Sequence, residues 1–70
     1  MHTKTYHVVE ARWLVQGDVL SNDKVVAYEP TYTDSTREAV RVEFIGGTHA
    51  IYGRRETVEV IAGIPLTYRP

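Results

Sequence analysis

Three histidines are the side chains best suited to hold a metal or move a proton: His2, His7 and His49. A metal site needs three or four ligands that converge on one point. The sequence contains no His-x-x-x-His or His-x-His spacing, no acidic cluster and no cysteine. It also lacks the G-x-S-x-G, P-loop and G-x-G-x-x-G motifs. We therefore expect a protein that is not an enzyme and that uses no cofactor or metal.

The stretch YGRRE is the one local basic patch. Arg54 and Arg55 could bind phosphates, with Tyr52 as a stacking surface and Arg41 on a neighbouring strand. The whole chain, however, carries eight Lys or Arg against nine Asp or Glu, whereas nucleic-acid binders usually show a basic excess. Glu56 follows directly and favours a solvated turn with local ion pairs. Nucleic-acid binding by a small β-barrel is therefore an alternative hypothesis.

Three other aromatic side chains could contact a protein partner. Tyr28 and Tyr32 flank Pro30, and a spacing of four along an extended strand puts both rings on one face. Pro30 cannot donate to a β-ladder, which predicts an edge or a bulge. The two rings could stack bases, grip a Pro-rich peptide or cover the core. Trp13 either fills the core or, if exposed, anchors a partner protein.

The C-terminal stretch IAGIPLTYRP carries apolar side chains beyond the last predicted strand. Gly63 and Pro65 oppose a long regular element. In water, the apolar side chains of this stretch would form an exposed patch that favours association, and they are Ile61, Ile64, Leu66 and Tyr68. They either fold back over the domain or dock on a neighbouring subunit, as in a homo-oligomer. A structural assembly subunit is thus a third hypothesis, and truncation after Ala62 would then dissolve the oligomer.

The apolar residues recur with a period of two, which is typical of half-buried strands, and no stretch shows helical spacing. The pattern predicts strands in TYHVVEA (5–11), Val19-Leu20, KVVAYE (24–29), AVRVEF (39–44), THAIY (48–52) and TVEV (57–60). Turn residues separate them at 21–23, 34–36 and 46–47, and the link 53–56 is expected to hold one short 3₁₀ turn before the last strand. An open sheet of this size would leave an apolar face wet, so we expect it to curl into a small barrel.

The segment ARWLVQGDVL joins the first two predicted strands. Trp13 and Leu14 can fill the barrel end, Gly17 gives the turn its backbone freedom, and Asp18 can accept hydrogen bonds from turn amides. The run L-V-Q-G-D-V-L resembles the L-x-x-G-D-V pattern of many SH3-like barrels. The order of strand, long loop, three-strand meander, short link and final strand also resembles that fold, over residues 5–62. The resemblance implies an SH3-like barrel of five to six antiparallel strands.

We therefore expect one all-β domain over residues 1–70, with its core in 5–62 and a tail at 63–70. The chain's length and character also resemble small actinobacteriophage proteins, which implies a host or virion protein as partner. No signal peptide or membrane span is recognisable, so a cytoplasmic location is expected. The leading hypothesis is a non-enzymatic protein–protein interaction module, whose candidate contact residues are Trp13, Tyr28, Tyr32, Ile64 and Leu66.

Overall fold

A computed structural model of the chain describes residues 6–62. It contains six short strands and one turn of 3₁₀ helix, Ala11–Trp13. The strands are β1 His7–Glu10, β2 Val19–Leu20, β3 Thr31–Tyr32, β4 Ala39–Glu43, β5 His49–Gly53 and β6 Thr57–Ala62. The predicted all-β class is thus confirmed, period-two alternation located β4 and β6, and the Gly46-Gly47 turn located β5.

The strands form two small antiparallel sheets, with the orders β1-β6-β2 and β3-β4-β5. The second sheet is the predicted three-strand meander. Cross-strand partners such as Val40 and Tyr52 in β4 and β5, or Val9 and Val58 in β1 and β6, point to the same side of their sheet. The alternation therefore turns one face of each sheet toward a shared core.

Residues 24–27 connect the two sheets. The Leu20 amide donates to the Lys24 carbonyl at 2.9 Å, and the Val26 amide donates to the Asp18 carbonyl at 2.8 Å. On the other side, the Ala27 amide donates to the Glu43 carbonyl at 2.8 Å. The prediction of a full strand over 24–29 was wrong, because only Val25 and Val26 pair, each with a single partner, and the chain bends at Tyr28.

The hairpin between β4 and β5 is built on the predicted glycine pair. Gly46 and Gly47 both have positive φ, +105° and +92°, a region that L-residues with a Cβ rarely adopt. The Phe44 amide donates to the Thr48 carbonyl at 2.8 Å and closes the loop. Ile45, which immediately precedes the glycines, is thereby held at the tip of the hairpin.

The core of the described region consists of aliphatic side chains and one ring from both sheets and the 3₁₀ helix. Leu14 and Phe44 are buried, as predicted. Trp13 is only half-buried, so Leu14 alone of the predicted pair fills the end of the core. The buried apolar residues are Val9, Ala11, Leu14, Leu20, Val26, Val40, Val42, Phe44 and Val60.

Two predicted details of the barrel differ from the structure. Within residues 6–62 the sheets do not close into a barrel, because no strand pairs with the outer edge of β1 or of β5. The 3₁₀ turn lies after β1 rather than before the last strand. At the predicted position the Glu56 amide donates to the Gly53 carbonyl at 3.0 Å. This single turn leads directly into β6, which pairs with β1 and β2 in the other sheet. Among the described strands, β5 therefore pairs with β4 alone.

Candidate protein-binding site

A groove beside the β4–β5 hairpin collects the most exposed apolar side chains of the described region. Ile45 is 69% exposed and Tyr28 is 64% exposed. Both line a groove with a volume of about 480 Å³. Its remaining walls are formed by Ala27, Glu43, Phe44, Gly46, Gly47 and Thr48. We call it the Tyr28–Ile45 groove.

The pairing of residues 25–27 with 43–45 explains why this groove exists. Val26 pairs with Phe44, and both are buried. The neighbouring side chains must point the opposite way, toward solvent. The Ile45 amide donates to the Val25 carbonyl at 2.9 Å, which fixes Ile45 on that outer face. The bend at Tyr28 then ends the pairing and places its ring at the side of the groove.

The charged side chains at the groove have partners within the chain. An oxygen of Glu43 lies 3.2 Å from a guanidinium nitrogen of Arg41. The Lys24 ammonium donates to the Thr48 hydroxyl at 3.3 Å and lies 5.8 Å from the centre of the Phe44 ring. The groove therefore combines the apolar side chains of Tyr28 and Ile45 with a lining that is at least as polar as it is apolar and a rim of mixed charge, a mixture that protein-contact patches share with the rest of the surface.

Trp13 lines a different, smaller groove of about 310 Å³. Its other walls are Arg12, Leu14, Val15, Glu29 and Pro30. The Arg12 guanidinium carbon lies 4.6 Å from the centre of the indole ring, a cation–π contact. The nearby Glu10 carboxylate lies 3.2 Å from Arg12 Nε. Trp13 is thus half-covered within a side-chain stack and presents part of its ring beside Pro30.

Tyr28 and Tyr32 do not share one extended strand. Tyr28 lies in the bend, and only Thr31 and Tyr32 form β3. The predicted arrangement of both rings on one strand face was therefore wrong. Tyr32 is 39% exposed, and the Arg37 guanidinium carbon lies 5.4 Å from the centre of its ring. Because the chain bends before Pro30, Tyr28 and Tyr32 do not form the shared contact face that the sequence predicts.

The predicted nucleic-acid residues are not assembled on one surface. Tyr52 pairs with Val40, whose side chain is in the core, so Tyr52 lies on the inner face. Arg41 pairs with Ile51 on the outer face and engages Glu43. Arg54 and Arg55 lie in the turn after β5, where Arg55 is exposed and Arg54 half-buried.

Tyr52 is half-buried, and its ring packs on the core. It lines a further groove of about 270 Å³ with Leu20 and Val58 among its neighbours. Burial raises the pKa of the Tyr52 hydroxyl above its usual value, and the negative charge of Glu56 adds to the effect. The ring is therefore a neutral structural group at physiological pH.

The remaining candidate residues are scattered or lie outside the described region. His7 and His49 are exposed on β1 and β5. Residues 6–62 hold no group of three His, Asp or Glu side chains that could bind a metal. His2, Ile64 and Leu66 lie outside the described residues.

Sequence reasoning missed Ile45 as a contact residue. A signal was present in the run VEFIGG, because an isoleucine that follows a strand directly and precedes two turn glycines breaks the alternation. If Phe44 points inward, its neighbour must point outward. A position that points to solvent normally favours a polar residue. An apolar residue at such a position indicates a contact surface.

Within residues 6–62 the structure contains no helix of the length and apolar character needed to cross a membrane. The chain matches no protein-family model, no curated protein and no solved structure.

Proposed function

We propose that this chain is a non-enzymatic protein–protein interaction module that binds its partner at the Tyr28–Ile45 groove. The observation that carries the proposal is the convergence of Tyr28 and Ile45, the two most exposed large apolar side chains of the described residues, on one concave surface. Exposed apolar side chains that cluster around a groove are characteristic of contact sites, whereas scattered ones are ordinary.

The energetics of burial favour this groove as the centre of a contact. Complete burial of an aliphatic or aromatic side chain contributes about 1.5–3 kcal/mol. Ile45 and Tyr28 each keep more than half of their surface in water, so most of that contribution is still to be gained. A tyrosine at the edge of a pocket is also the type of residue that dominates binding energy in interfaces.

The contacts of the polar side chains in the groove favour binding over catalysis. Glu43 is the one carboxylate among its lining residues, and Arg41 pairs with it. The hydroxyl of Thr48 accepts a hydrogen bond from Lys24, a cation and not a general base. Nucleophilic catalysis needs a hydroxyl or thiol next to a base that can take its proton. These contacts support binding rather than catalysis.

We further propose that the fold is a partly open version of the SH3-like barrel. The support comes from the strand order, in which β1 and β2 flank β6 while β3, β4 and β5 form a meander. Residues 24–27 join the two sheets by hydrogen bonds. The joint at Gly17 and Asp18 has the turn that the L-x-x-G-D-V resemblance implies.

The proposal is tested by comparing matched double variants. A tagged full-length chain is used to isolate a partner from cells that make it, and binding of the purified partner is then measured by calorimetry. Tyr28→Ala/Ile45→Ala is expected to weaken binding by about 30-fold or more, as loss of a hot spot of about 2 kcal/mol requires. Thermal unfolding of the variant establishes that it remains folded.

The matched control is Tyr6→Ala/Val8→Ala, which removes a tyrosine that is 46% exposed just before β1 and a β-branched residue that is 61% exposed within β1. It is expected to bind normally. Tyr32→Ala tests whether the contact extends past the bend. A folded Tyr28→Ala/Ile45→Ala variant with the wild-type dissociation constant would overturn the proposal.

A further inference from the structure

The outer edge of β5 has a backbone pattern that can be worked out residue by residue. At one end of the β4–β5 pair, the Phe44 amide donates to the Thr48 carbonyl. At the other end, the Arg54 amide donates to the Glu38 carbonyl. Because backbone groups of an antiparallel strand alternate in direction, the even-numbered residues of β5 face β4. His49, Ile51 and Gly53 therefore direct their amides and carbonyls outward.

The outward amide and carbonyl of Gly53 already have hydrogen-bond partners. The Gly53 amide donates to Glu56 Oε1 at 3.0 Å, and the Gly53 carbonyl accepts from the Glu56 amide at 3.0 Å. Glu56 thus covers this end of the edge. Within residues 6–62 no strand pairs with β5 on this side. His49 and Ile51 are left with two outward donors and two outward acceptors.

The rest of the edge, at His49 and Ile51, lacks the features that prevent pairing with another strand. Proteins protect exposed edges with Lys, Pro, bulges or inward charges. β5 has the sequence HAIYG, and its register with β4 is unbroken over all five residues. Ile51, in the middle of the strand, is 53% exposed. An edge of this composition favours pairing with another strand.

We propose that a second copy of this chain pairs antiparallel along β5, with the two-fold axis at Ala50. In that register His49 lies opposite Ile51 of the other copy, and Ile51 lies opposite its His49. All four outward groups of each copy are then satisfied by four hydrogen bonds, and Gly53 with its Glu56 cover lies beyond the paired segment. The contact is isologous and closes, so it yields a dimer and not a fibre.

The charges next to this edge suit a second copy. Glu43 pairs with His49, and Arg41 pairs with Ile51, in the two rows on either side of the Val42–Ala50 pair. The two-fold axis at Ala50 places the Glu43–His49 row of one copy in line with the Ile51–Arg41 row of the other. In the six-stranded sheet, each of these two rows then has Glu43 beside His49 in one copy and Arg41 beside Ile51 in the other, so no like charges face each other. A strand of unrelated sequence would have to supply this complementarity anew.

The first test is the mass of the full chain in solution, measured by sedimentation equilibrium over a range of concentrations. The wild type is expected to form dimers. Ile51→Lys places a charge at the centre of the edge and is expected to raise the dimer dissociation constant more than about tenfold. Val8→Lys, at a 61% exposed position on the outer edge of β1, is the matched control and is expected to leave the dimer intact.

The second test fixes the register by disulfide trapping. The chain has no cysteine, so a single introduced one can bond only between copies. Ala50→Cys places two thiols in a non-hydrogen-bonded pair, where the Cα atoms lie about 4.5 Å apart, within disulfide range. This variant is expected to cross-link under mild oxidation faster than Val8→Cys and faster than Ile51→Cys.

Three outcomes would overturn the proposal. They are a wild type that stays monomeric throughout, a dimer that Val8→Lys dissolves while Ile51→Lys does not, and an Ile51→Cys variant that cross-links fastest. The residues changed here are not those of the Tyr28–Ile45 groove. Loss of partner binding and loss of the dimer can therefore be observed separately.

Discussion

The Asp18 carboxylate accepts a hydrogen bond from the Val15 amide at 2.9 Å, and Asp18 is completely buried. The Asp18 amide donates to the Val15 carbonyl at 3.1 Å, which closes the turn that contains Gly17. The carbonyl of the same residue accepts from Val26. The Asp18 carboxylate thereby fixes the turn into β2, which accounts for an acid inside the most apolar part of the sequence, while the backbone carbonyl of Asp18 holds the segment that links the two sheets.

Replacement of Asp18 by alanine is expected to lower the free energy of unfolding by about 1–3 kcal/mol. The substitution leaves the Val15 amide without its side-chain acceptor in a partly buried turn, and an unsatisfied buried donor costs about that much. Urea unfolding followed by Trp13 fluorescence measures the change. Glu29→Ala removes an exposed carboxylate nearby and is the control, with an expected effect within about 0.5 kcal/mol. Equal effects of the two substitutions would contradict this role of Asp18.

Gly46 and Gly53 are expected to respond oppositely to the same substitution. Gly46 has φ of +105°, and a Cβ at this position would extend into open space. Gly46→Ala therefore introduces backbone strain alone, of about 1–2 kcal/mol. Gly53 lies in β5, and a Cβ there would meet Glu56 at an ordinary 3.8 Å. Gly53→Ala is expected to be neutral or stabilising by up to about 1 kcal/mol, because it reduces the freedom of the unfolded chain.

Thermal unfolding of these two variants provides the measurement, and circular dichroism shows whether the sheets are retained. A Gly46→Ala variant as stable as the wild type would mean that the hairpin tolerates another turn type. A strongly destabilised Gly53→Ala variant would mean that the turn into β6 has no room for a methyl group.

The elements that sequence reasoning located correctly share a strong local cause. Val40, Val42 and Phe44 alternate with charged residues, and burial of one face fixes such a strand without reference to the rest of the chain. The Gly46-Gly47 turn and the Asp18 joint likewise depend on local backbone chemistry. Such features can be predicted from a few neighbouring residues.

The elements that were missed depend on distant partners. Residues 24–29 have the composition of a strand, but β2 and Phe44 offer partners only to Val25 and Val26, so the strand pairing stops there. The sequence predicts a 3₁₀ turn at 53–56, but a turn with one backbone hydrogen bond, from the Glu56 amide to the Gly53 carbonyl, is enough to reach β6. The open edges of β1 and β5 follow from strand order, which alternation does not encode. For the same reason, the sequence indicates that Ile45 is exposed but not that Tyr28 lines the same groove.

Tyr52 is expected to make the fold more sensitive to alkaline pH. Its folded-state pKa is raised, first by burial and then by Glu56. The neutral hydroxyl therefore contributes stability that is fully present below the unfolded pKa, near 10, and is lost as the pH rises through the folded pKa. Tyr52→Phe removes this titration, so its stability is expected to decline less than that of the wild type above pH 10.

The raised pKa of Tyr52 can be measured from the absorbance of tyrosinate during an alkaline titration. The raised pKa is expected to disappear in Tyr52→Phe. Glu56→Gln keeps an oxygen that can accept from the Gly53 amide but removes the charge, so it is expected to lower the Tyr52 pKa only in part, because burial is the larger cause. A full return to the ordinary value in Glu56→Gln would show that charge, and not burial, dominates.

The basic turn is expected not to form a nucleic-acid site. Arg41 is paired with Glu43, and Tyr52 lies on the other face of the sheet, so neither stands beside Arg54 and Arg55 as a phosphate contact or a stacking surface. Fluorescence anisotropy with labelled single- and double-stranded DNA and RNA across a salt series is expected to show no saturable binding. Phosphate contacts would instead appear as affinity that falls linearly in log–log form with salt. Such a salt dependence, abolished by Arg54→Ala/Arg55→Ala but retained in Arg37→Ala, would contradict this expectation and favour nucleic acid as the ligand.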